Sequence, residues 1–282
     1  MERYLVTLKC HDRPGIVRGL AQAIFEVKGN IAESAQFSDP GTGTFCMRTS
    51  FDAPEPDIAV IRAALDATLS PFDPVVTLRS ERQWRRVLLM ASRSDHCLGD
   101  LLHRRHIGEL PIDVPIVVSN HDGDARATAE RYGVPFEHIP VTPETKPAAE
   151  ARLRELIAEH DVDFVVLARY MQVLTDQICS ELPGRIINIH HSFLPAFKGA
   201  QPYHQAYDRG VKLIGATAHF VTADLDEGPI IEQDVVRVGH HQNADQLVAI
   251  GRDVERLVLA RAVKLFAEDR VLLGGHRTFV FA

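Results

Sequence analysis

The sequence predicts an α/β protein of two domains, a small N-terminal βαββαβ unit followed by a doubly wound, mostly parallel sheet. Strand-like and helix-like runs alternate along all 282 residues, and 45% of the chain is hydrophobic, enough to bury two cores. A polar, charged stretch, Ser80-Glu81-Arg82-Gln83-Trp84-Arg85-Arg86, interrupts that alternation. It sets the expected boundary at Gln83 and gives domains 1–83 and 84–282.

In the first domain, residues 4–10 (YLVTLKC) alternate apolar and polar as a strand does. Pro14 then opens a helical pattern with Ile16, Val17, Leu20, Ile24 and Phe25 on one face, ending at Gly29. Two strand-like runs, 30–38 and 44–52, flank Asp39-Pro40-Gly41-Thr42-Gly43, whose Pro and Gly residues suit a hairpin connection. A helix over 55–69 and a strand over 74–80 complete the order of a ferredoxin-like unit, with both helices on one face of an antiparallel sheet.

From Val87 the pattern becomes a succession of apolar strands and helices. The strands are VLLMAS, VPIVVSN, FEHIPV, FVVLARY, RIINIH, LIGATAHFV and PIIEQDVVRV; the helices fall near 97–106, 124–132, 144–159, 175–182 and 244–268. Continuous apolar strands divided by helices belong to a parallel sheet covered on both faces, and such sheets bind ligands beyond the carboxyl ends of their strands.

Composition narrows the function classes. A net charge of -7 and a pI near 6.0 give no field for neutralising a phosphate backbone, which disfavours nucleic acid as a partner. The four cysteines, Cys10, Cys46, Cys97 and Cys179, form no C-x-x-C pair and read as reduced core thiols. No metal is expected, because the histidines form neither H-x-x-x-H nor H-E-x-x-H and His240-His241 are adjacent. With no signal-type apolar region and no run long enough to span a bilayer, a cytoplasmic protein without a membrane partner is expected.

The chemistry concentrates where two strands end. Arg185-Ile186-Ile187-Asn188-Ile189-His190 places an amide and an imidazole two residues apart, on the same side of a strand. Some thirty residues on, His219-Phe220-Val221-Thr222-Ala223-Asp224-Leu225-Asp226-Glu227-Gly228-Pro229 puts an acidic loop after another strand at the same sheet edge. Taken singly, a strand-end histidine reads as a satisfied polar residue and Asp226 as a turn former. Together, Asn188, His190 and Asp226 can converge on one ligand.

The runs NIHHSFLPAFKGAQPYHQA and GVKLIGATAHFVTADLDEGPII resemble the signature of the folate-dependent formyltransferase family over about fifty residues. The resemblance implies Asn188, His190 and Asp226 as the catalytic trio. It also implies a folate loop in Leu167 to Leu174, with Met171, Gln172, Val173 and Leu174, and further Val221 and Thr222, as folate contacts. Met90-Ala91-Ser92-Arg93-Ser94-Asp95-His96-Cys97-Leu98-Gly99 lacks the closely spaced glycines with which the family's transformylases hold an acceptor's phosphate. Cys10-His11-Asp12-Arg13-Pro14-Gly15-Ile16-Val17 resembles the loop of an ACT domain. An ACT domain ahead of a formyltransferase-like domain is the arrangement of the family's deformylase branch.

That branch implies hydrolysis of 10-formyltetrahydrofolate to formate and tetrahydrofolate, without a cofactor, supplying formate for purine synthesis. Asn188 would polarise the carbonyl and His190 carry protons; Asp226 would orient water or imidazole and serve as base, a division left to geometry. The ACT-like unit implies an amino-acid effector such as glycine or methionine at an interface of a homo-oligomer, formed by Asp12, Arg13 and Gly15 with Asn30 and Ile31. It could instead serve only for dimerisation. His191 is read either as a water-positioning residue or as an exposed loop histidine. Lys198, Arg93 and Arg169 are candidate cations for the folate glutamate tail, with solvated surface charge as the plainer reading of each. The alternatives are formyl transfer to a small amine and a non-enzymatic sensor.

Overall fold

The structure, a computed structural model, describes residues 1–54, 57–195 and 202–281. It divides into two compact units: Met1–Trp84 with Asp269–Gly274 and Phe279–Ala282, and Arg85–Glu268 with Gly275–Thr278.

The first unit runs β1 (Glu2–His11), α1 (Ile16–Glu26), β2 (Asn30–Asp39), β3 (Thr44–Ala53), α2 (Ile58–Leu69) and β4 (Val75–Ser80). Its sheet has the order β2-β3-β1-β4 with every pair antiparallel, the ferredoxin-like arrangement. One face of β1 and β3, carrying Leu8 and Phe51, packs on Ile16, Leu20 and Ile24 of α1 and on Ile61 and Leu65 of α2.

The alternation along β1 suggests one solvated face, yet Leu5 and Thr7 on the other face are also buried. The tail supplies part of the cover. Two short strands, β13 (Val271–Gly274) and β14 (Arg277–Val280), pair with each other, and Phe279 and Phe281 cluster with Cys46 of β3. The Lys9 ammonium donates to the Leu273 carbonyl at 2.7 Å. The continuous 84–282 domain expected from sequence therefore gives up much of its tail to the first unit. Four-residue strands are too short to announce themselves by alternation.

The second unit contains β5 (Arg85–Ala91), α3 (His96–His106), β6 (Ile112–Asp113), β7 (Val117–Ser119), α4 (Asp124–Arg131), β8 (Phe136–His138), α5 (Lys146–Glu159), β9 (Phe164–Leu167), α6 (Asp176–Glu181), β10 (Ile186–His190), α7 (Pro202–Asp208), β11 (Leu213–Phe220), β12 (Ile230–Arg237) and α8 (Ala244–Ala267). The strand order is β12-β11-β10-β9-β5-β7-β8, parallel from β10 to β8 and antiparallel where β11 and β12 join.

Three strands differ from the sequence reading, FEHIPV being a strand only over Phe136–His138. VPIVVSN forms a ladder only over Val117–Ser119, with β6 upstream pairing the start of β5. FVVLARY ends at Leu167, because Arg169 takes a φ of 65°, which no strand accommodates.

Helix α8 starts at a capping box: the Asn243 side chain accepts from the Gln246 amide, and the Gln246 side chain accepts from the Asn243 amide. Its far end is pinned to the sheet by aromatic edges, Phe266 lying 4.9 Å from Phe164 of β9 and 5.2 Å from Phe220 of β11. Phe164 is 1% exposed, so Phe164→Ala leaves a cavity between sheet and helix. We expect a loss of about 3–5 kcal/mol, read as a lower urea midpoint at unchanged slope.

Candidate active site

The site lies at the carboxyl end of β10. Antiparallel pairing sets Asn188 opposite His219 and His190 opposite Thr217, and the chain leaving β11 turns back at Asp226 before β12 begins. The turn is held by Phe220 N–H donating to the Pro229 carbonyl at 2.9 Å and by the Thr222 hydroxyl donating to the Asp224 carbonyl at 3.0 Å. Asp226 itself takes a φ of 58°, a left-handed conformation that aspartate tolerates better than most residues.

This fold-back places Asp226 Oδ2 3.3 Å from His190 Nδ1 and Asp226 Oδ1 3.7 Å from His219 Nε2. His190 is 5% exposed, and its Nε2 has no partner among the described residues. The carboxylate on Nδ1 thus assigns the proton to that nitrogen and leaves Nε2 as the free base. The hydrogen bond from His190 holds the Asp226 carboxyl well below the usual carboxylate range, against the opposing effect of burial.

His219 is the site residue that sequence reasoning missed. Its Nδ1 donates to the Phe220 carbonyl at 2.9 Å, so in the neutral ring Nε2 accepts from Asn188 Nδ2 at 3.3 Å. The second N–H of that amide remains free to meet a carbonyl oxygen. The available signal was position: His219 opens the run that contains Asp226 and sits opposite Asn188 once β10 and β11 pair.

A cavity of about 270 Å³ opens in front of these groups. Asn188, His190 and Asp226 line it, together with Met171, Gln172, Val173 and Leu174 from the loop after β9 and Val221 and Thr222 from the loop after β11. The structure thus brings together all nine residues expected at the catalytic and folate sites. Met171 and Val173 are more than half exposed, whereas Leu174 is buried. The loop is anchored from behind: Ser92 Oγ accepts from Met171 N–H at 3.0 Å and donates to Asn120 Oδ1 at 2.6 Å, and buried Glu150 accepts from Thr175 N–H at 2.8 Å.

Of the three candidate cations, Arg93 is exposed and Lys198 lies outside the described residues. Arg169 overturns its reading as solvated charge. Its side chain is only 17% exposed, and its Nε stands 3.3 Å from an oxygen of buried Glu255. His191 is not an exposed loop residue either; it lines the cavity and packs edge-on against Tyr203.

The five effector candidates do not meet within one chain. Asp12 accepts from Ser38 near the end of β2, and Arg13 donates to the Pro71 carbonyl and lies over the Phe72 ring. Asn30 and Ile31 sit at the opposite end of that strand, paired with Asp52 and Phe51. At strand rise, the separation from Asn30 to Ser38 is roughly 26 Å. Gly15, at a φ of 105°, has Phe72 against the place where a Cβ would stand.

One cluster among the described residues has metal-type ligands, His96, Cys97 and Glu255. Its donors are already engaged: His96 Nε2 donates to Glu255 Oε2 at 2.9 Å, beside the Arg169 cation, and burial pushes the Cys97 thiol well up. A cationic neighbour and a protonated thiol do not suit a divalent ion.

Gly228 sets how closely the Asp226 turn approaches β11, since a Cβ there would stand 1.7 Å from the Phe220 carbonyl oxygen. Gly228→Ala must move the turn, and with it Asp226. We expect turnover to fall about a hundredfold, measured as kcat in the purified variant.

Residues 85–263 match the family model described as formyl transferase. A formyltetrahydrofolate deformylase of Corynebacterium sp. (strain P-1) is 48% identical over 99% of this chain and 98% of that protein. The deformylase of Escherichia coli (strain K12) is 41% identical over 99% of both. The crystal structure of a formyltetrahydrofolate deformylase from Pseudomonas syringae superposes with a TM-score of 0.96 at 46% identity, covering 100% of this chain and 95% of that one. A glycinamide ribonucleotide transformylase from Symbiobacterium toebii superposes with a TM-score of 0.68 at 34% identity, over 73% of this chain and 98% of that one. Sheet, turn and full-length likeness agree: the chain belongs to the formyltetrahydrofolate deformylases, hydrolases built on the formyl transferase fold.

Proposed function

We propose that the protein hydrolyses 10-formyltetrahydrofolate to formate and tetrahydrofolate with Asn188, His190 and Asp226, and without a metal or cofactor. The observation that carries the reading is the convergence of an amide, a free imidazole nitrogen and a largely buried carboxylate on one cavity, whose remaining walls include the loop 171–174, Val221 and Thr222. Met171, Gln172, Val173, Leu174, Val221 and Thr222 offer apolar surface and main-chain groups to the folate. Asn188 meets the formyl oxygen with its free N–H. His190 Nε2 takes a proton from water as the water oxygen bonds to the formyl carbon. The same nitrogen returns that proton to the folate nitrogen as the carbon–nitrogen bond breaks, leaving formic acid, which ionises to formate. Asp226 fixes the imidazole and stabilises its cation, which makes it the orienting carboxylate rather than the base.

The N-terminal unit supports an ACT-type regulatory role. Because the Asp12–Gly15 loop and the start of β2 are far apart in one chain, a shared site requires two copies, the loop of one facing Asn30 and Ile31 of another. That arrangement makes the enzyme a homo-oligomer with an amino-acid effector such as glycine or methionine. A cytoplasmic enzyme supplying formate for purine synthesis fits this reading, and no described helix is long and apolar enough to cross a membrane.

The deciding assay is formate release from 10-formyltetrahydrofolate with no amine present. Wild type should release formate, and chelator should leave the rate unchanged. Asn188→Ala should cost about a hundredfold or more, and His190→Ala and Asp226→Asn about 10²–10⁴-fold. Turnover that appears only when an amine is supplied would replace hydrolysis by transfer. For regulation, glycine or methionine should raise the melting temperature of wild type and not of Arg13→Ala; no shift with any amino acid removes the effector.

A further inference from the structure

Behind the trio lies a buried cluster that the proposed reaction does not use. Glu255 of α8 is 1% exposed, and its two oxygens gather three segments. Oε2 accepts from His96 at the start of α3 at 2.9 Å and faces Arg169 Nε at 3.3 Å, while Oε1 accepts from the Tyr203 hydroxyl of α7 at 2.8 Å. Burial pushes the Glu255 carboxyl up, but the His96 hydrogen bond, the Arg169 charge and the Tyr203 hydroxyl together hold it below its ordinary value. Tyr203 is driven far up by burial and the neighbouring carboxylate, so its hydroxyl remains a donor. Helix α8 makes room for this ring at Gly251, where a Cβ would stand 2.1 Å from Tyr203 Cζ.

The cluster ends at the cavity. The Tyr203 ring meets His191 edge-on with centroids 6.1 Å apart, and His191 stands 5.2 Å from the His190 ring. Both Arg169 and His191 line the cavity. Burial, and after it the Arg169 charge, brings the His191 imidazole down to about 3, so the ring is neutral wherever the enzyme works. Neither ring nitrogen of His191 is bonded to a described residue. A neutral imidazole both accepts and donates, which is what a water poised for attack needs from a neighbour that must not compete for its proton.

We propose that the attacking water is held between His190 Nε2 and the imidazole of His191, and that Glu255, through Tyr203 and Arg169, is the positioning residue that keeps His191 in place. His190 takes the proton; His191 only orients the water. The inference rests on the hydrolase reading and supplies it with the group that distinguishes water from other nucleophiles.

The test uses full-length protein and formate release from 10-formyltetrahydrofolate, with kcat and KM determined separately. His191→Ala should lower kcat about thirty- to a hundredfold with KM unchanged, and His191→Asn, which keeps a hydrogen-bonding group, should recover part of the loss. Tyr203→Phe and Glu255→Gln should each lower kcat about tenfold, and neither should lower it further in the His191→Ala background. An unchanged kcat in His191→Ala overturns the proposal. So does a full effect of Tyr203→Phe on top of His191→Ala, which would make the cluster merely structural. Tyr203→Phe decides the point should Glu255→Gln fail to fold. A wild type that releases no formate without an amine indicts the hydrolase reading instead, so the two failures are distinguishable.

Discussion

The reversal of chain direction between β10 and β11 is the constraint on which the site depends. In a parallel pairing the loop after β11 would leave beyond the carboxyl end of β10, past His190. Because β11 runs antiparallel, its last residues, His219 and Phe220, lie instead beside Asn188 and Ile187. The chain leaving β11 must fold back before β12 begins, and that turn brings Asp226 to His190. Gly228 and the Phe220–Pro229 hydrogen bond fix how tight that turn is. A backbone rule thus places the carboxylate, and side-chain packing refines it.

The electrostatics follow from that placement. A carboxylate with only 10% of its side chain exposed pays a desolvation cost that water does not offset. The His190 hydrogen bond to Oδ2 supplies the compensation, and the net effect favours the charged form. An ionised Asp226 fixes which nitrogen of His190 carries the resting proton, and it stabilises the imidazolium that any proton transfer to Nε2 creates. His219 performs the complementary task for the amide, fixing the orientation of Asn188 through a ring whose own tautomer is set by the Phe220 carbonyl. In the proposed mechanism, acid–base chemistry and oxyanion stabilisation are in this way assigned to groups that do not compete for one proton.

Much of this was legible in the sequence because it is local. Asn188 and His190 are two residues apart on a strand, and Asp226 stands six residues after the last residue of β11. The resemblance directed attention to the loop 171–174, which lines the cavity, although the strand before it stops earlier than the apolar run suggests, ahead of the left-handed Arg169. What escaped notice is non-local. Glu255 lies 159 residues from His96 and 52 from Tyr203, and a lone glutamate on an amphipathic helix carries no sign that it will be buried. The tail escaped for a different reason: two four-residue strands bury Phe279 and Phe281 against the first unit, and only the fold reveals where they go.

The likeness to transformylases sharpens the question of what makes a hydrolase. The same sheet, superposing with a transformylase over 73% of the chain, serves a reaction in which an amine receives the formyl group. Groups that polarise a formyl carbonyl and shuttle a proton serve either nucleophile, so the trio by itself cannot select water. Selection has to reside in the wall next to the reacting carbon. Here that wall contains a guanidinium, Arg169, and a neutral imidazole, His191, both backed by one buried carboxylate. On the proposed reading, an imidazole braced by Tyr203 holds a water in place and leaves little freedom to admit a bulkier nucleophile. The cost of burying Glu255 is met by the three groups it holds, and those groups form the wall.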